Sequence, residues 1–382
     1  MATKFLEAGG NATFNVATTA NGGFWGGVSA AVLGTDFAHN NQPKSIKFPS
    51  TGGYVITPNG VVADAGARIS FWAYINALPG STARIMDIDD VATFVTFSLQ
   101  LTSAGVLQAS RGSDGTQIGS NGSTVPTSRW FRISIAYTIT DGTHNRIEVF
   151  FDGVPALSIT NASINRTGTN NVTIGNISGS TSLDMRGSDF YIDDSNALTD
   201  PGNICVTAKR PYANGTTNNF DTQIGSGNSG YGSGHADEVN ERALDTASGW
   251  SKVGAGSAIT EEYNIELPSR GDIDLVDRVL VDYMGWVYAK ALISETAQIV
   301  LNSVASNISL TGSNAMFTKA AGSTSYPAGS GADIGIITST DVTTVSLYEC
   351  GIMVAYIYVP GAFGNYAPYV KTGVMNRSER AT

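Results

Sequence analysis

Residues 141–153, DGTHNRIEVFFDG, read as turn, strand, turn, and the same alternating grammar recurs along the chain around them. Asp141-Gly142 and Asp152-Gly153 supply residues that tolerate positive φ, while Arg146 to Phe151 alternates polar and apolar before closing on two phenylalanines. A period of two places alternate side chains on opposite faces of a strand and cannot make a helical stripe. Ile69 to Ile75 (ISFWAYI), Thr96 to Leu101 (TFSLQL) and Trp130 to Tyr137 (WFRISIAY) repeat it with aromatic and β-branched residues. Many strands separated by turn signals predict stacked sheets, with less than about a tenth of the chain in helix.

At 382 residues the chain exceeds one ordinary core, so two domains are expected. Charged residues make up only 14%, which gives a neutral surface rich in hydroxyl and amide groups. The net charge of −10 has no basic cluster to offset it, which argues against nucleic acid as a partner. The amino terminus has no apolar stretch of signal-peptide length, and the longest apolar run, Ile352 to Val359, is too short to span a bilayer. Synthesis in the cytoplasm without a membrane anchor is therefore expected. Cys205 and Cys350 have no metal-type spacing and read as buried free thiols ahead of a disulfide.

The first domain is expected over residues 1–200, as an Asn/Gly/Ala-rich lead to Phe37 and then a sandwich from Ser45 to Asp193. Asp200-Pro201-Gly202 breaks any regular element and marks the boundary, with the second domain over 201–382. Residues 214–234, ending GSGNSGYGSG, read as a long loop, and His235 to Ala247 as either a short helix or a draped loop. Strands are expected at Tyr263 to Leu267, Arg278 to Ala291, Ala297 to Val304 and Thr344 to Val359, with a helix over 292–306 as the weaker alternative. Ile352 to Val359 is apolar on both alternating faces, so its second face needs another layer, either of this chain or of a neighbouring subunit.

His39, His144 and His235 are dispersed and form no zinc motif, and neither a nucleophile elbow nor a phosphate cradle is present. Asp87, Asp89 and Asp90, or Asp193 and Asp194, could supply part of the six or more oxygens that Ca²⁺ requires, although Asp193-Asp194 equally fits a capped turn. Of the five tryptophans, Trp72, Trp130 and Trp286 lie in strand patterns and read as core. Trp25 and Trp250 have glycine-rich surroundings and stay open as subunit contacts or ligand platforms.

KSIKFPSTGGYVITP at 44–58, ARISFWAYINALPGSTARIMDI at 67–88, FSLQLTSAGVLQAS at 97–110, SRWFRISIAYTITDGTHNRIEVFFDGVPA at 128–156 and FYIDD at 190–194 occur in the order of a known family. This part resembles the laminin-G-like, concanavalin-A-like jelly rolls. The fold expected is all-β: an N-terminal jelly-roll sandwich followed by a smaller antiparallel β domain. The catalytic strand of jelly-roll glucanases reads E-x-D-x-x-E, whereas Asp87-Ile88-Asp89-Asp90 has no flanking glutamate, so no catalysis is expected there.

GGFWGGVSAAVLGTDFAHNNQPKSIKF at 22–48, KRPYANGTTNNF at 209–220 and GHADEVNE at 234–241, followed by long strands, resemble a group of tailed-bacteriophage virion proteins. That resemblance implies a non-enzymatic structural or decoration protein on the head, neck or tail of a virion, made in the host cytoplasm. Its implied partners are itself, as a homotrimer built through the second domain, and other virion proteins. The alternative is a carbohydrate-binding or receptor-binding module that takes a surface glycan.

Overall fold

A computed structural model describes residues 3–7, 24–37, 39, 44–63, 65–90, 95–112, 115–140, 144–164, 169–179, 182–220, 222–224, 249–252, 259–265, 278–302, 304–320, 332–338 and 344–358. All regular elements among them are strands. The stretches 225–234 and 235–247, read above as loop and as helix or loop, lie outside the described residues, as does Asp141-Gly142.

The first sandwich contains β1 (Thr3–Glu7), β2 (Gly27–Ser29), β3 (Val32–Gly34), β4 (Ser45–Phe48), β5 (Gly53–Ile56), β6 (Ala67–Ala77), β7 (Ala83–Asp89) and β8 (Val95–Leu101). It continues with β9 (Leu107–Arg111), β10 (Gln117–Ile118), β11 (Trp130–Thr138), β12 (Asn145–Phe151), β13 (Val154–Ala162), β14 (Asn171–Asn176) and β15 (Asp184–Asp193). Its first sheet runs β13-β12-β11-β6-β15-β4-β3, with β1 also paired to β15; its second runs β10-β9-β8-β7-β14-β5-β2. Sequence neighbours such as β6 and β7 fall in different sheets, the crossing pattern of a jelly roll. Asp152 and Gly153 carry φ of 51° and 84°, so the hairpin between β12 and β13 turns on the two positive-φ positions that a tight right-twisted hairpin requires.

The second unit contains β16 (Ile204–Lys209), β17 (Ala213–Asn218), β18 (Thr222–Ile224), β19 (Gly249–Lys252), β20 (Thr260–Ile265) and β21 (Arg278–Ala291). It ends with β22 (Glu295–Leu301), β23 (Val304–Leu310), β24 (Ala315–Ala320), β25 (Ala332–Thr338) and β26 (Val345–Tyr358). The third sheet runs β18-β19-β26-β21-β24 with β16 also on β26, and the fourth runs β17-β20-β25-β22-β23.

Three expectations are corrected. The lead before Ser45 is not a preamble: β1 and β3 join the first sheet and β2 joins the second. The polar run after residue 213 contains β17 and β18, because pairing with β20 and β19 recruits residues whose own propensity is weak. The strand expected from Ala297 to Val304 instead turns back at Asn302, whose φ is 50°, and leaves as β23; this hairpin also replaces the helical alternative over 292–306.

The third sheet accounts for the doubly apolar run in β26. One face, with Val287, Leu347, Cys350, Ile352 and Val354, closes on Tyr263, Ile299, Ile334 and Ile336 of the fourth sheet. The other, with Met284, Trp286, Tyr288, Met353 and Ala355, belongs to the same apolar cluster as Phe5, Leu6 and Phe24 of the first sandwich. Phe24 meets the Trp286 ring edge-on with centroids 6.0 Å apart. The covering layer, for which the resemblance implied a subunit, is thus this chain's own first domain. Gly351 makes this packing possible: a Cβ there would lie 2.6 Å from Cζ2 of Trp286.

The boundary at Asp200-Pro201-Gly202 is irregular but firmly held. Arg132, buried under the first sheet's outer surface, makes a two-pronged ion pair to Asp200, with Nη1 and Nη2 donating at 2.9 and 2.6 Å. Trp72 Nε1 donates to the Ile204 carbonyl at 3.0 Å just beyond it.

Candidate functional site

The second sheet has one face that is solid core and one that is polar. Ile88, Phe97, Leu99, Leu107, Ala109, Val172 and Ile174 point inward and are fully buried. Their alternates point outward and line up by register: Thr173 lies across from Asp87, Asp87 from Ser98, Ser98 from Ser110, and Ser110 from Gln117. The row thus crosses five strands, β14, β7, β8, β9 and β10. Beside it Gln100 faces Gln108. Half-buried Tyr54 and Ile56 of β5 stand at the β14 end. A bulge at Ile85 lets both Ile85 and Met86 point inward, after which Asp87 and Asp89 share the outward face.

The row is knit together. Gln100 Nε2 donates to Ser110 Oγ at 2.5 Å, and Gln108 Nε2 and Gln117 Nε2 both donate to Asn121 Oδ1, at 2.8 and 2.9 Å. Thr173 Oγ1 donates to Asp89 Oδ2 at 2.7 Å, and Arg84 Nη1 to Asp87 Oδ2 at 3.0 Å. Asp87 is only 3% exposed, and its Oδ1 has no hydrogen-bond partner. A buried acceptor left in that state costs about 1–3 kcal/mol.

Burial pushes the Asp87 carboxyl above the usual carboxylate range, against the hydrogen bond from Ser98 and the charge of Arg84. Burial raises Asp89 further, to about 6, with the neighbouring charges of Asp87 and half-buried Asp90 adding to the shift and Thr173 opposing it. Asp89 therefore changes charge close to neutral pH. Two carboxylates two residues apart on one strand face sit roughly 6.5–7 Å from each other, a spacing that inverting glycoside hydrolysis also uses.

The remaining candidate residues have other employment. Asp193 is fully buried and takes a two-pronged ion pair from Arg68, while its Oδ1 accepts from the Ser195 backbone at 2.8 Å, the capped turn. Asp194 pairs with Lys4 at 3.3 Å. Arg68 on Asp193 and Arg84 on Asp87 thus place a guanidinium against one aspartate of each candidate set. Among the described residues no three His, Cys, Asp or Glu side chains gather in a metal-holding arrangement. Trp25 is no platform: it is 2% exposed and wedged between Phe5 and Phe190, with centroids 5.1 and 5.0 Å away. Its glycine-rich surroundings serve close packing; a Cβ on Gly26 would lie 2.6 Å from the Thr57 carbonyl oxygen. Trp250 is half-buried in β19 and packs against the core between the third and fourth sheets. Both cysteines are free and buried, and burial holds the Cys350 thiol well above its ordinary range.

The structure also brings together a pair that no spacing announced. His39 Nδ1 and Asp189 Oδ2 lie 2.6 Å apart, both buried, and the His39 ring sits 4.2 Å from the Trp72 ring and 5.0 Å from that of Trp130. The other Asp189 oxygen accepts from the Val206 backbone at 2.6 Å. Asp189 holds φ of 52°, uncommon for a non-glycine residue, which places both its oxygens where these donors are. Through the Val206 bond Asp189 ties β15 to β16, and so one sandwich to the other. No sequence signal marks the pair, because its members lie far apart along the chain and meet only through the fold.

Residues 49–201 match the Concanavalin A-like lectin/glucanases superfamily. The first sandwich is a laminin-G-like, concanavalin-A-like jelly roll, as its motifs led one to expect. A search of curated proteins finds no match to the chain. Among solved structures, a Trypanosoma rangeli sialidase is 14% identical with a TM-score of 0.32, over 42% of this chain and 26% of that one. An endo-β-1,4-glucuronan lyase from the fungus Trichoderma reesei is 12% identical with a TM-score of 0.37, over 49% of this chain and 98% of that one. Domain 4 of the arabinanase AbnA from Geobacillus stearothermophilus, solved with arabinotriose, is 18% identical with a TM-score of 0.30, over 45% of this chain and 78% of that one. The chain spans about a quarter of the sialidase's length. Likenesses this distant carry nothing about chemistry.

Proposed function

We propose that this chain is a non-enzymatic glycan-binding protein whose ligand lies across the polar face of the second sheet. The observation that carries this reading is the polar row Thr173, Asp87, Ser98, Ser110 and Gln117, whose exposed end at Gln117 and Asn121 is flanked by the half-buried amides of Gln100 and Gln108. Sugar hydroxyls are donors and acceptors on an apolar ring frame, and the row offers hydroxyls, amides and carboxylates with Tyr54 as a ring to stack on. Binding is favoured over cleavage because Asp87 is tied down by Arg84 and Ser98, and because no glutamate flanks the pair.

A glycan array probed with the full chain tests the reading, followed by calorimetry on a retained polysaccharide. Gln108→Ala with Gln117→Ala, which removes the accessible amides of the row, should weaken binding while leaving the melting temperature of the fold. Retention should also weaken as the pH falls below about 6, where Asp89 takes up its proton and loses an acceptor. Absence of binding to every neutral and acidic polysaccharide tried defeats the proposal. Release of reducing sugar that disappears in Asp89→Asn replaces it with an enzyme.

A second reading, a structural or decoration protein of a phage virion that assembles with itself and other virion proteins, draws support from the whole-chain resemblance. The low charge of 14% and the 44 glycines suit a repeated surface tile. The two readings are compatible if the particle uses the chain to hold a host glycan.

A further inference from the structure

Four asparagines of this chain are followed by glycine: Asn21, Asn59, Asn121 and Asn214. An asparagine so placed can react with its own backbone, because a following residue without a Cβ leaves the next amide nitrogen unhindered. That nitrogen attacks Cγ, negative charge develops on Oδ1, and ammonia leaves as a five-membered ring closes. The step is sped by the device that speeds acyl transfer in enzymes, hydrogen-bond donors fixed where the oxyanion forms.

The asparagines differ in that respect. Asn21 lies outside the described residues. Asn214-Gly215 is in β17, whose pairing to β20 holds the backbone extended, and a Cβ on Gly215 would lie 2.6 Å from the Glu262 carbonyl carbon. Asn59 is exposed, and its Oδ1 accepts from Asn171 Nδ2 at 3.0 Å. Asn121 is exposed too, but its Oδ1 accepts from two side chains, Gln108 Nε2 at 2.8 Å and Gln117 Nε2 at 2.9 Å. These donors are themselves held, since Gln108 Nε2 also donates to Gln117 Oε1 and Gln117 Nε2 to the Gly119 carbonyl, both at 3.2 Å. The Gly122 N–H donates to the Leu107 carbonyl and the Gly60 N–H to Asn170 Oδ1, each at 2.8 Å, so at both sites attack waits for one bond to open. That delay is shared; the second oxyanion donor is not. Packing also preserves the glycine that makes Asn121 reactive, because a Cβ on Gly122 would lie 2.6 Å from the Ala156 carbonyl oxygen.

We infer that Asn121 is a self-modification site, deamidating ahead of Asn59 and Asn214 in the folded chain through an oxyanion hole made by Gln108 and Gln117. Solvent base takes the Gly122 proton, the nitrogen bonds to Cγ, and the Cγ–Nδ2 bond breaks as Nδ2 leaves, protonated, as ammonia. Water then opens the succinimide. Addition at Cγ gives aspartate, and addition at the backbone carbonyl carbon gives isoaspartate, with the chain rerouted through the former side chain. Nothing is oxidised or reduced. Either product places a carboxylate at the exposed end of the polar row. The inference does not depend on the glycan-binding proposal.

Peptide mapping by mass spectrometry, on the full chain held at mildly alkaline pH, tests it. The mass gain of amide-to-acid conversion should appear at Asn121 before Asn59 and Asn214, with isoaspartate among the products. In the chain unfolded in urea the three should convert at similar rates, because cross-strand register builds the hole. Gln117→Glu keeps the side chain's length but replaces its amide donor with a negative acceptor, and should slow conversion at Asn121 by about three- to tenfold, the worth of one hydrogen bond. Asn59 in the same sample is the internal reference. A purely structural role for the amides makes the opposite forecast, since loosening this loop would free the Gly122 N–H and hasten the reaction. Equal or faster conversion of Asn121 in Gln117→Glu overturns the inference. So does no conversion at Asn121, earlier conversion of Asn59 or Asn214, or the same ranking in the unfolded chain.

Discussion

The second and third sheets obey the same alternating rule and end in opposite states. The outward residues of the second sheet are Asp87, Ser98 and Thr173, which are buried, and the half-buried Gln100 and Gln108, and all of them are polar. The corresponding residues of the third are Met284, Trp286, Tyr288 and Met353, and the first sandwich seals them. The chemistry of a sheet's second face thus decides whether it becomes a hydrogen-bonded polar network or an apolar interior. In β26, where both alternating sets are apolar, the chain has committed that face to burial before any partner is considered.

Charging the sealed face is the most drastic way to break this comparison. Met353→Lys places an unpaired ammonium between the sandwiches and should destabilise the chain by about 3–5 kcal/mol in chemical denaturation. Gln117→Lys, at the exposed end of the polar row, should stay within about 1 kcal/mol; equal losses would erase the distinction. Gly351→Ala drives a methyl into the Trp286 indole and should remove about 1–3 kcal/mol. Asp189→Asn weakens the bond to His39, should lower stability by about 1–3 kcal/mol, and should speed amide exchange in β16.

The smallest effect is one of pH. Because Asp89 binds its proton more tightly in the folded chain than in the unfolded one, it penalises folding above about pH 6 and relieves that penalty as the pH falls toward the ordinary carboxylate range. Asp89→Asn should therefore stabilise the chain at pH 7.5 by about 1–2 kcal/mol, discounted for partial exposure, and flatten this part of the stability profile. A destabilised Asn variant would mean that the carboxylate is held by more than Thr173.

Strands with a clean period of two were legible from sequence: Arg278 to Ala291 is β21 to the residue, and β4, β11 and β12 lie within a residue of expectation. Same-face placement of Asp87 and Asp89 was legible for the same reason. The rest depended on partners. β1 and β17 owe their conformation to pairing rather than propensity. The turn at Asn302 uses a non-glycine residue at positive φ, so the usual glycine punctuation is missing. Glycines around Trp25 admit close packing as readily as exposure, and local composition cannot separate the two. The polar row and the His39–Asp189 pair are products of cross-strand register, which a single sequence does not encode locally.

β1 pairs with the last four residues of β15, and its Leu6 is completely buried. During synthesis its partner emerges long after it does. At ribosomal rates of about 5–20 residues per second, Phe5 and Leu6 wait roughly ten to forty seconds for a strand to dock on, and longer for Trp286. In that interval the nascent chain carries an unpaired apolar strand, which a holding chaperone or a neighbouring nascent chain can reach first.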